Sequence, residues 1–391
     1  MQKTINKNYF LSQPHQPFFI LGIINSIIMM LIFSLSYKGI FTLYTDILTF
    51  HTYTLIFTVF TNLFTGFIFT TFPRFCQSNV IEKDYYVKLF FANLIGSGIF
   101  LLGVFLNEML MQFGMFILFV ANIFIVSKLY SIYTNGQAVD KKDAFWILLS
   151  FCFGLLGHFL FIVSSFAPMM QTLAISISFY LYIIFLTFSV AQRMIPFFSH
   201  SFEAKSEKLI LTVFTLFVLR ILASFFEIPI AQISIDLILA IYLFREFISW
   251  KFTPLKSPAI LWVLQLGLFW LPTAFLLSAF SLIAQELLET NFYFFNVHLL
   301  AIGFLTTILI GFGTRVTLGH SSQPPHADKF AVGLFIFIQV VVLIRSLFSF
   351  NIAFGWELNF LFDISFTTWL ILFILWGARY GKVLLYGTRL N

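Results

Sequence analysis

Apolar segments of about 20 residues recur along the whole chain, with short polar segments between them. A helix of roughly 20 apolar residues crosses the hydrocarbon core of a bilayer and satisfies its own backbone hydrogen bonds there. In the first half of the chain such segments span 18–37, 48–72, 86–106, 109–131, 144–165 and 169–192. In the second half they span 209–226, 228–247, 260–283, 292–314, 330–350 and 358–378. The pattern predicts an all-α membrane protein with about twelve transmembrane helices.

Composition supports this class. Of the 391 residues, 60% are hydrophobic and only 10% are charged, too few to cover the surface of a soluble protein. We predict one polytopic membrane domain over 1–391, with 1–16 as a cytoplasmic segment and 17–391 as the helical bundle. The first span is too long for a signal peptide and lacks a cleavage site. The two cysteines form no disulfide framework, and the net charge of +6 does not imply nucleic acid.

The positive charges favour one orientation. Of the 22 Lys and Arg residues, only Lys38 falls in the loops of one side, while Arg220 and Arg345 lie within spans. Basic loops stay in the cytoplasm. The alternation therefore predicts that both termini are cytoplasmic, which requires an even number of helices.

Arginines at the inner ends of spans two, six and ten indicate an internal repeat. Arg74, Arg193 and Arg315 are separated by 119 and 122 residues (193 − 74 and 315 − 193), and four spans occupy each interval. For any single arginine, snorkelling at a helix end is the simpler explanation. The shared interval favours three four-helix units, an architecture similar to that of haem-copper oxidase catalytic subunits, where haem lies between helices two and ten.

His51 and His298 lie in the outer parts of spans two and ten. Neutral imidazole is a common axial ligand of haem iron, so the pair could hold one haem from opposite faces. Alternatively, each could hydrogen-bond to a neighbouring helix. His51 lies about 34 Å along the helix from Arg74, and His298 about 25 Å from Arg315. The two histidines would therefore lie at different depths in the bilayer unless helix tilt or staggered helix ends make up the difference.

The other histidines have weaker signals. His158, inside span five, could bind a metal or a haem propionate, but an interhelical hydrogen bond is the favoured interpretation. His320 could be a ligand on the cytoplasmic side near Arg315, although an interfacial residue at a helix end is slightly favoured. His15 and His326 are predicted to be solvated.

Four charged residues fall inside apolar spans: Arg220, Asp236, Arg345 and Asp363. Such charges face the bundle interior or a wet cavity. The sequence leaves open whether they form a proton path or simple ion pairs. No Walker loop, dinucleotide fingerprint, zincin helix or nucleophile elbow occurs in a suitable context.

Three ordered segments carry a family resemblance: 193–198 (Arg-Met-Ile-Pro-Phe-Phe), His298 followed by 314–320 (Thr-Arg-Val-Thr-Leu-Gly-His), and 379–381 (Arg-Tyr-Gly). With them, residues 18 to the C-terminus resemble the NnrS proteins, haem- and copper-containing membrane proteins of the bacterial nitric oxide response. The resemblance implies a multi-pass protein of the bacterial inner membrane that contains b-type haem and meets nitric oxide or a related small ligand. Its implied cofactor-binding residues are His51, His158, His298, Arg193 and Arg315, and its implied metal ligands are His51, His298 and His320.

The sequence also departs from the family. The usual His-Ala-His-Glu reads here as His51-Thr52-Tyr53-Thr54, and Gln265 stands where histidine is common. These losses argue against a copper site of three histidines and leave a single haem as the simpler expectation. Whether the protein is an enzyme stays open. The alternative function is a polytopic transporter, or a metal- or haem-handling membrane protein without redox catalysis.

Overall fold

The computed structural model describes residues 9–201, 203–253 and 256–390, and within them the chain forms helices and no strand. Twelve long helices follow one another. They are α1 (His15–Tyr37), α2 (Ile47–Phe75), α3 (Lys83–Leu106), α4 (Glu108–Asn135), α5 (Lys142–Ser164), α6 (Pro168–Phe198), α7 (Leu209–Phe225), α8 (Pro229–Ser249), α9 (Ala259–Leu288), α10 (Phe295–His320), α11 (Lys329–Phe354) and α12 (Phe360–Tyr386). A short 3₁₀ turn, Tyr9–Leu11, precedes α1.

Each helix coincides with one predicted span, and ten of the twelve are long and apolar enough to cross a bilayer. The two exceptions are α7, which has 17 residues, and α8, which carries Asp236, Arg245 and Glu246. Several helices run beyond the predicted limits, because a helix continues to satisfy its backbone after it leaves the hydrocarbon. The protein is therefore a multi-pass membrane protein.

Side-chain caps fix three helix starts. The carboxylate of Asp46 accepts from Thr49 N before α2, and the Asn107 amide oxygen accepts from Leu110 N at α4. Asp328 accepts from the backbone N–H of Ala331 in the same way at α11. Each cap satisfies a backbone donor that the first turn leaves unpaired.

Three helices contain π-helical stretches: Thr54–Phe60 in α2, Ile177–Ile184 in α6 and Leu299–Thr306 in α10. They begin 123 and 122 residues apart (177 − 54 and 299 − 177). A π-helical stretch of this length is unusual, and π-bulges are frequent at functional sites. The same three helices carry the periodic arginines, so a second feature repeats at nearly the same interval.

The chain divides into two compact units. The first contains the described residues up to Ile183, together with Val316–Pro324 and the described residues from Phe373 onward; the second contains Ile184–Arg315 and Pro325–Leu372. In the first unit α3 and α4 approach closely, because a Cβ on Gly103 would lie 2.1 Å from the backbone nitrogen of Met111. The three four-helix units expected from sequence stay a prediction.

Candidate functional site

A buried histidine lies at the centre of a polar cluster in the first unit. His158, on α5, is fully buried, and both of its ring nitrogens meet side chains. Nε2 lies 2.9 Å from the hydroxyl of Tyr53 on α2, and Nδ1 lies 3.0 Å from the amide nitrogen of Asn122 on α4. Three helices therefore meet at one imidazole through hydrogen bonds between side chains.

Aromatic rings enclose this cluster. Phe57 stacks on His158 with ring centroids 4.2 Å apart, while Phe119 meets the ring edge-on at 5.5 Å. Phe161 packs edge-on against both Tyr53 and Phe57. Because these rings displace water, the hydrogen bonds of the cluster act in an apolar environment and are costly to leave unmade.

Close helix packing positions His158. A Cβ on its neighbour Gly157 would lie 2.1 Å from the Ser178 hydroxyl oxygen, in the π-helical stretch of α6. Glycine therefore allows α5 and α6 to approach next to the imidazole. A second buried phenol lies in the same unit: the Tyr182 hydroxyl is 2.9 Å from that of Thr61, which immediately follows the π-helical stretch of α2.

His51 is half-buried on the first turns of α2, three residues before the π-helical stretch. Its ring packs against that of Phe33 on α1, with centroids 4.2 Å apart. Tyr53, two residues later in the chain, is fully buried, whereas His51 is only half-buried. The two side chains therefore occupy different environments.

His298 lies in the second unit, one residue before the π-helical stretch of α10. Its Nδ1 is 2.9 Å from the backbone carbonyl oxygen of Phe294. A carbonyl can only accept, so Nδ1 carries the hydrogen and the lone pair of the neutral ring lies on Nε2. Since His51 belongs to the first unit, the shared haem expected from sequence stays a prediction.

His15 is not solvated, which corrects the expectation from sequence. Only 1% of its surface is exposed, and its ring centroid lies 4.7 Å from that of His320. The reason is that α1 begins at His15, where the chain packs beside Gly66 of α2. His326 is exposed, as expected. His320 is half-buried, and its contact with His15 gives it a role in packing within the first unit.

The two remaining candidates are half-buried arginines of the second unit. Arg315, on α10, places its guanidinium 4.0 Å from the ring centroid of Phe198, the last residue of α6. Arg193 lies in the last turns of α6. Cation–π stacking of this kind orients Arg315 and partly compensates for its burial.

Three of the four charged residues within spans, Arg220, Asp236 and Arg345, form hydrogen bonds with specific side chains. Arg220 Nε lies 2.6 Å from Asp236 Oδ1, and the Ser278 hydroxyl donates to Asp236 Oδ2 at 2.7 Å. Arg345 donates to the Ser349 hydroxyl at 2.6 Å. The first group is a neutralised, hydrogen-bonded ion pair, the form in which burial of two charges is tolerated.

Gln265, at a position where the resemblance leads one to expect histidine, is buried at 1% exposure. Its amide nitrogen donates to the hydroxyls of Ser199 and Ser257, at 3.0 and 3.4 Å. These three side chains line a cavity of about 370 Å³ in the second unit. The amide nitrogen of Gln265, a donor, has no lone pair for a metal.

Hydropathy alone did not identify Asn122, Tyr182 or the π-helical stretches as parts of the site. The signals in the sequence are weak: a polar residue in an apolar span, and Tyr53 at a position where the resemblance implies histidine. Within the described residues, no group of three or more His, Cys, Asp or Glu side chains could hold a metal ion.

Comparison with known proteins places the chain in a family. A search of curated proteins finds no match. The family model described as NnrS protein matches residues 9–387, nearly the whole chain. The match covers both units and every candidate residue, and the chain therefore belongs to the NnrS family.

Proposed function

We propose that this protein is a haem-containing protein of the bacterial inner membrane that acts in the response to nitric oxide or nitrosative stress. The observation that carries the proposal is the family match over residues 9–387. The ten apolar helices agree with an integral membrane location.

The protonation of His298 supports haem binding. Its Nδ1–H donates to the Phe294 carbonyl, so the ring offers a lone pair on Nε2, the arrangement in which a histidine ligand is oriented by its other nitrogen. His298 is only half-buried, which suits a side chain that must reach a bound group. A haem would supply an iron that could bind a small neutral ligand such as nitric oxide when one of its two histidine ligands dissociates.

The positions of His51 and His298 relative to the π-helical stretches support the same pair. His51 precedes Thr54 by three residues and His298 precedes Leu299 by one, so their positions relative to the π-helical stretches differ by two residues. Their separations from the arginines at the inner helix ends differ by six residues, or about 9 Å at about 1.5 Å per residue. The π-helical stretches thus provide a more consistent reference for the repeat.

Arg315 lies too far along α10 from His298 to bind the same haem, while the cofactor role implied for Arg193 stays a prediction. Arg315 follows His298 by 17 residues (315 − 298), about 25 Å along a helix, which is too far for the carboxylates of one haem. We assign Arg193 and Arg315 to the inner ends of their helices. A copper site of three histidines does not fit the chain, because Tyr53 and Gln265 stand at positions where the resemblance implies histidine.

One experiment tests the function. The full chain, expressed in a bacterial membrane and purified in mild detergent, should show a haem Soret band, and nitric oxide added to the reduced protein should shift it. An optical spectrum without a haem band, from protein produced with sufficient haem, would contradict the proposal and favour the transporter alternative. A haem band unaffected by nitric oxide would contradict its role as a binder of that ligand.

A further inference from the structure

The contact between Tyr53 and His158 joins a phenol to a base in a fully buried position. Oη of Tyr53 and Nε2 of His158 are 2.9 Å apart, and neither side chain has exposed surface. We propose that Tyr53 is a redox-active tyrosine, which loses one electron to an oxidant while its phenolic proton passes to Nε2 of His158. This inference stands apart from the proposed function, because no step involves haem.

The partner of Tyr53 distinguishes it from other tyrosines of the first unit. Tyr182 is also buried, but its hydroxyl meets the hydroxyl of Thr61, which cannot accept a proton at ordinary pH. Tyr85 and Tyr86 donate to the backbone carbonyls of Phe124 and Leu11. A phenol loses an electron far more readily when a base takes its proton at the same time, and Tyr53 is hydrogen-bonded to such a base.

Hydrogen-bond satisfaction sets the direction of the Tyr53 bond. If Nε2–H donated to Tyr53, the phenolic hydrogen would have no acceptor among the described residues, and a buried donor without a partner is costly. Tyr53 therefore donates to Nε2, and Nδ1 carries the hydrogen. Nδ1–H then donates to the backbone carbonyl of Met115, with which His158 forms a hydrogen bond.

The surroundings suit a radical that forms and is then reduced again. Phe57, Phe100 and Phe161 pack around Tyr53 and exclude water, which would otherwise compete for the proton. Oxidation leaves a neutral phenoxyl beside an imidazolium. Because a buried cation without a counter-ion is costly, the proton returns to Tyr53 when an electron arrives, and the pair is restored.

The oxidant must work within an apolar environment. Nitrogen dioxide is a neutral one-electron oxidant that dissolves in the bilayer, whereas charged oxidants are excluded from it. The balanced step takes one electron from Tyr53 to nitrogen dioxide, which becomes nitrite. The O–H bond of Tyr53 breaks, a new N–H bond forms on His158 Nε2, and the products are a phenoxyl radical and an imidazolium.

The test uses the full chain in detergent, with nitrogen dioxide generated by pulse radiolysis. A phenoxyl radical, followed by transient absorbance and by electron paramagnetic resonance of frozen samples, should form in the unaltered protein and be lost in Tyr53→Phe. The matched control Tyr182→Phe should retain it. An unchanged signal in Tyr53→Phe, or loss of the signal in Tyr182→Phe alone, would overturn the proposal.

A second measurement needs no substitution, in case Tyr53→Phe does not fold. Protein labelled with ¹⁵N-histidine should show a radical whose electron-nuclear double resonance spectrum differs from that of unlabelled protein, because the imidazolium hydrogen-bonds to the phenoxyl oxygen. His158→Gln should slow radical formation and remove this label effect. A label-insensitive radical, or none at all, would contradict the assignment even if the purified protein contains haem.

Discussion

The imidazoles of His15 and His320 pack ring against ring, with centroids 4.7 Å apart and planes inclined by 40°, although 305 residues (320 − 15) separate them in the sequence. His15 also meets Phe19 edge-on. Both histidines belong to the first unit, so a residue near the C-terminal end of α10 packs against the start of α1. This contact joins two segments of the unit that are remote in the chain.

We expect His15→Ala to destabilise the protein by about 1–2 kcal/mol, because it removes the ring contacts of a buried aromatic side chain. His15→Phe should be neutral or stabilising. It keeps a ring and removes Nδ1, which is buried and has no hydrogen-bond partner within the described part of the chain. Thermal unfolding in detergent measures the stability of both variants, and a substitution of the exposed His326, His326→Ala, is the control. Equal destabilisation by Ala and Phe would show that the imidazole nitrogens, and not the ring contacts, matter.

The ion pair between Arg220 and Asp236 should be the most sensitive polar contact of the second unit. Asp236→Ala leaves a buried guanidinium without its carboxylate and should cost about 3 kcal/mol or more. Replacing both members with apolar residues, Arg220→Met with Asp236→Leu, should recover most of that loss. Unfolding curves of both single variants and the double variant give the coupling energy. If the loss of unfolding free energy in the double variant equals the sum of the losses in the two single variants, the two charges do not stabilise each other. Each charge would then have a separate role, as in a proton path.

The helix positions could be predicted from sequence, because an apolar run long enough to cross a bilayer has few alternatives to helix. The partners of individual side chains could not. Which face of α5 carries His158 toward Tyr53 and Asn122 depends on helix packing, which hydropathy does not encode. The π-helical stretches were also missed, since an extra residue in a helical turn leaves no mark on average hydropathy. The sequence predicts a solvated His15 because the apolar run begins at Phe18, whereas α1 begins at His15.

The topology prediction places both termini in the cytoplasm. A reporter that is active only in the periplasm, fused after Asn391, should be silent, while a cytoplasm-active reporter at the same site should give signal. As a matched control, the periplasm-active reporter inserted beside Lys38, in the loop between α1 and α2, should be active. Activity of the periplasmic reporter at Asn391 would require an inverted orientation or an odd number of spans.

A threefold internal repeat should place the π-helical stretches of α2, α6 and α10 at equivalent positions. The intervals between their first residues, 123 and 122, are nearly the same as those between the inner arginines, 119 and 122. An experimental structure in lipid measures this directly. If successive rotations fail to superpose the three four-helix segments on one another, the repeat in sequence has no counterpart in the fold.

The axial-ligand prediction concerns His51 and His298, each of which lies just before a π-helical stretch. His51→Ala or His298→Ala should remove or greatly weaken haem binding, because a six-coordinate iron would lose one of its two protein bonds. His320→Ala should keep the haem, since that ring packs against His15, and His158→Gln should keep it as well, since both nitrogens of His158 bond to side chains. The ratio of haem absorbance to protein measures occupancy, and the low-spin spectrum of a bis-histidine iron reports the ligand type. Imidazole added to either alanine variant should restore that spectrum if the lost group was a ligand. Full occupancy and an unchanged spectrum in His51→Ala would exclude His51 as a ligand, and loss of haem in His158→Gln alone would transfer the role to His158.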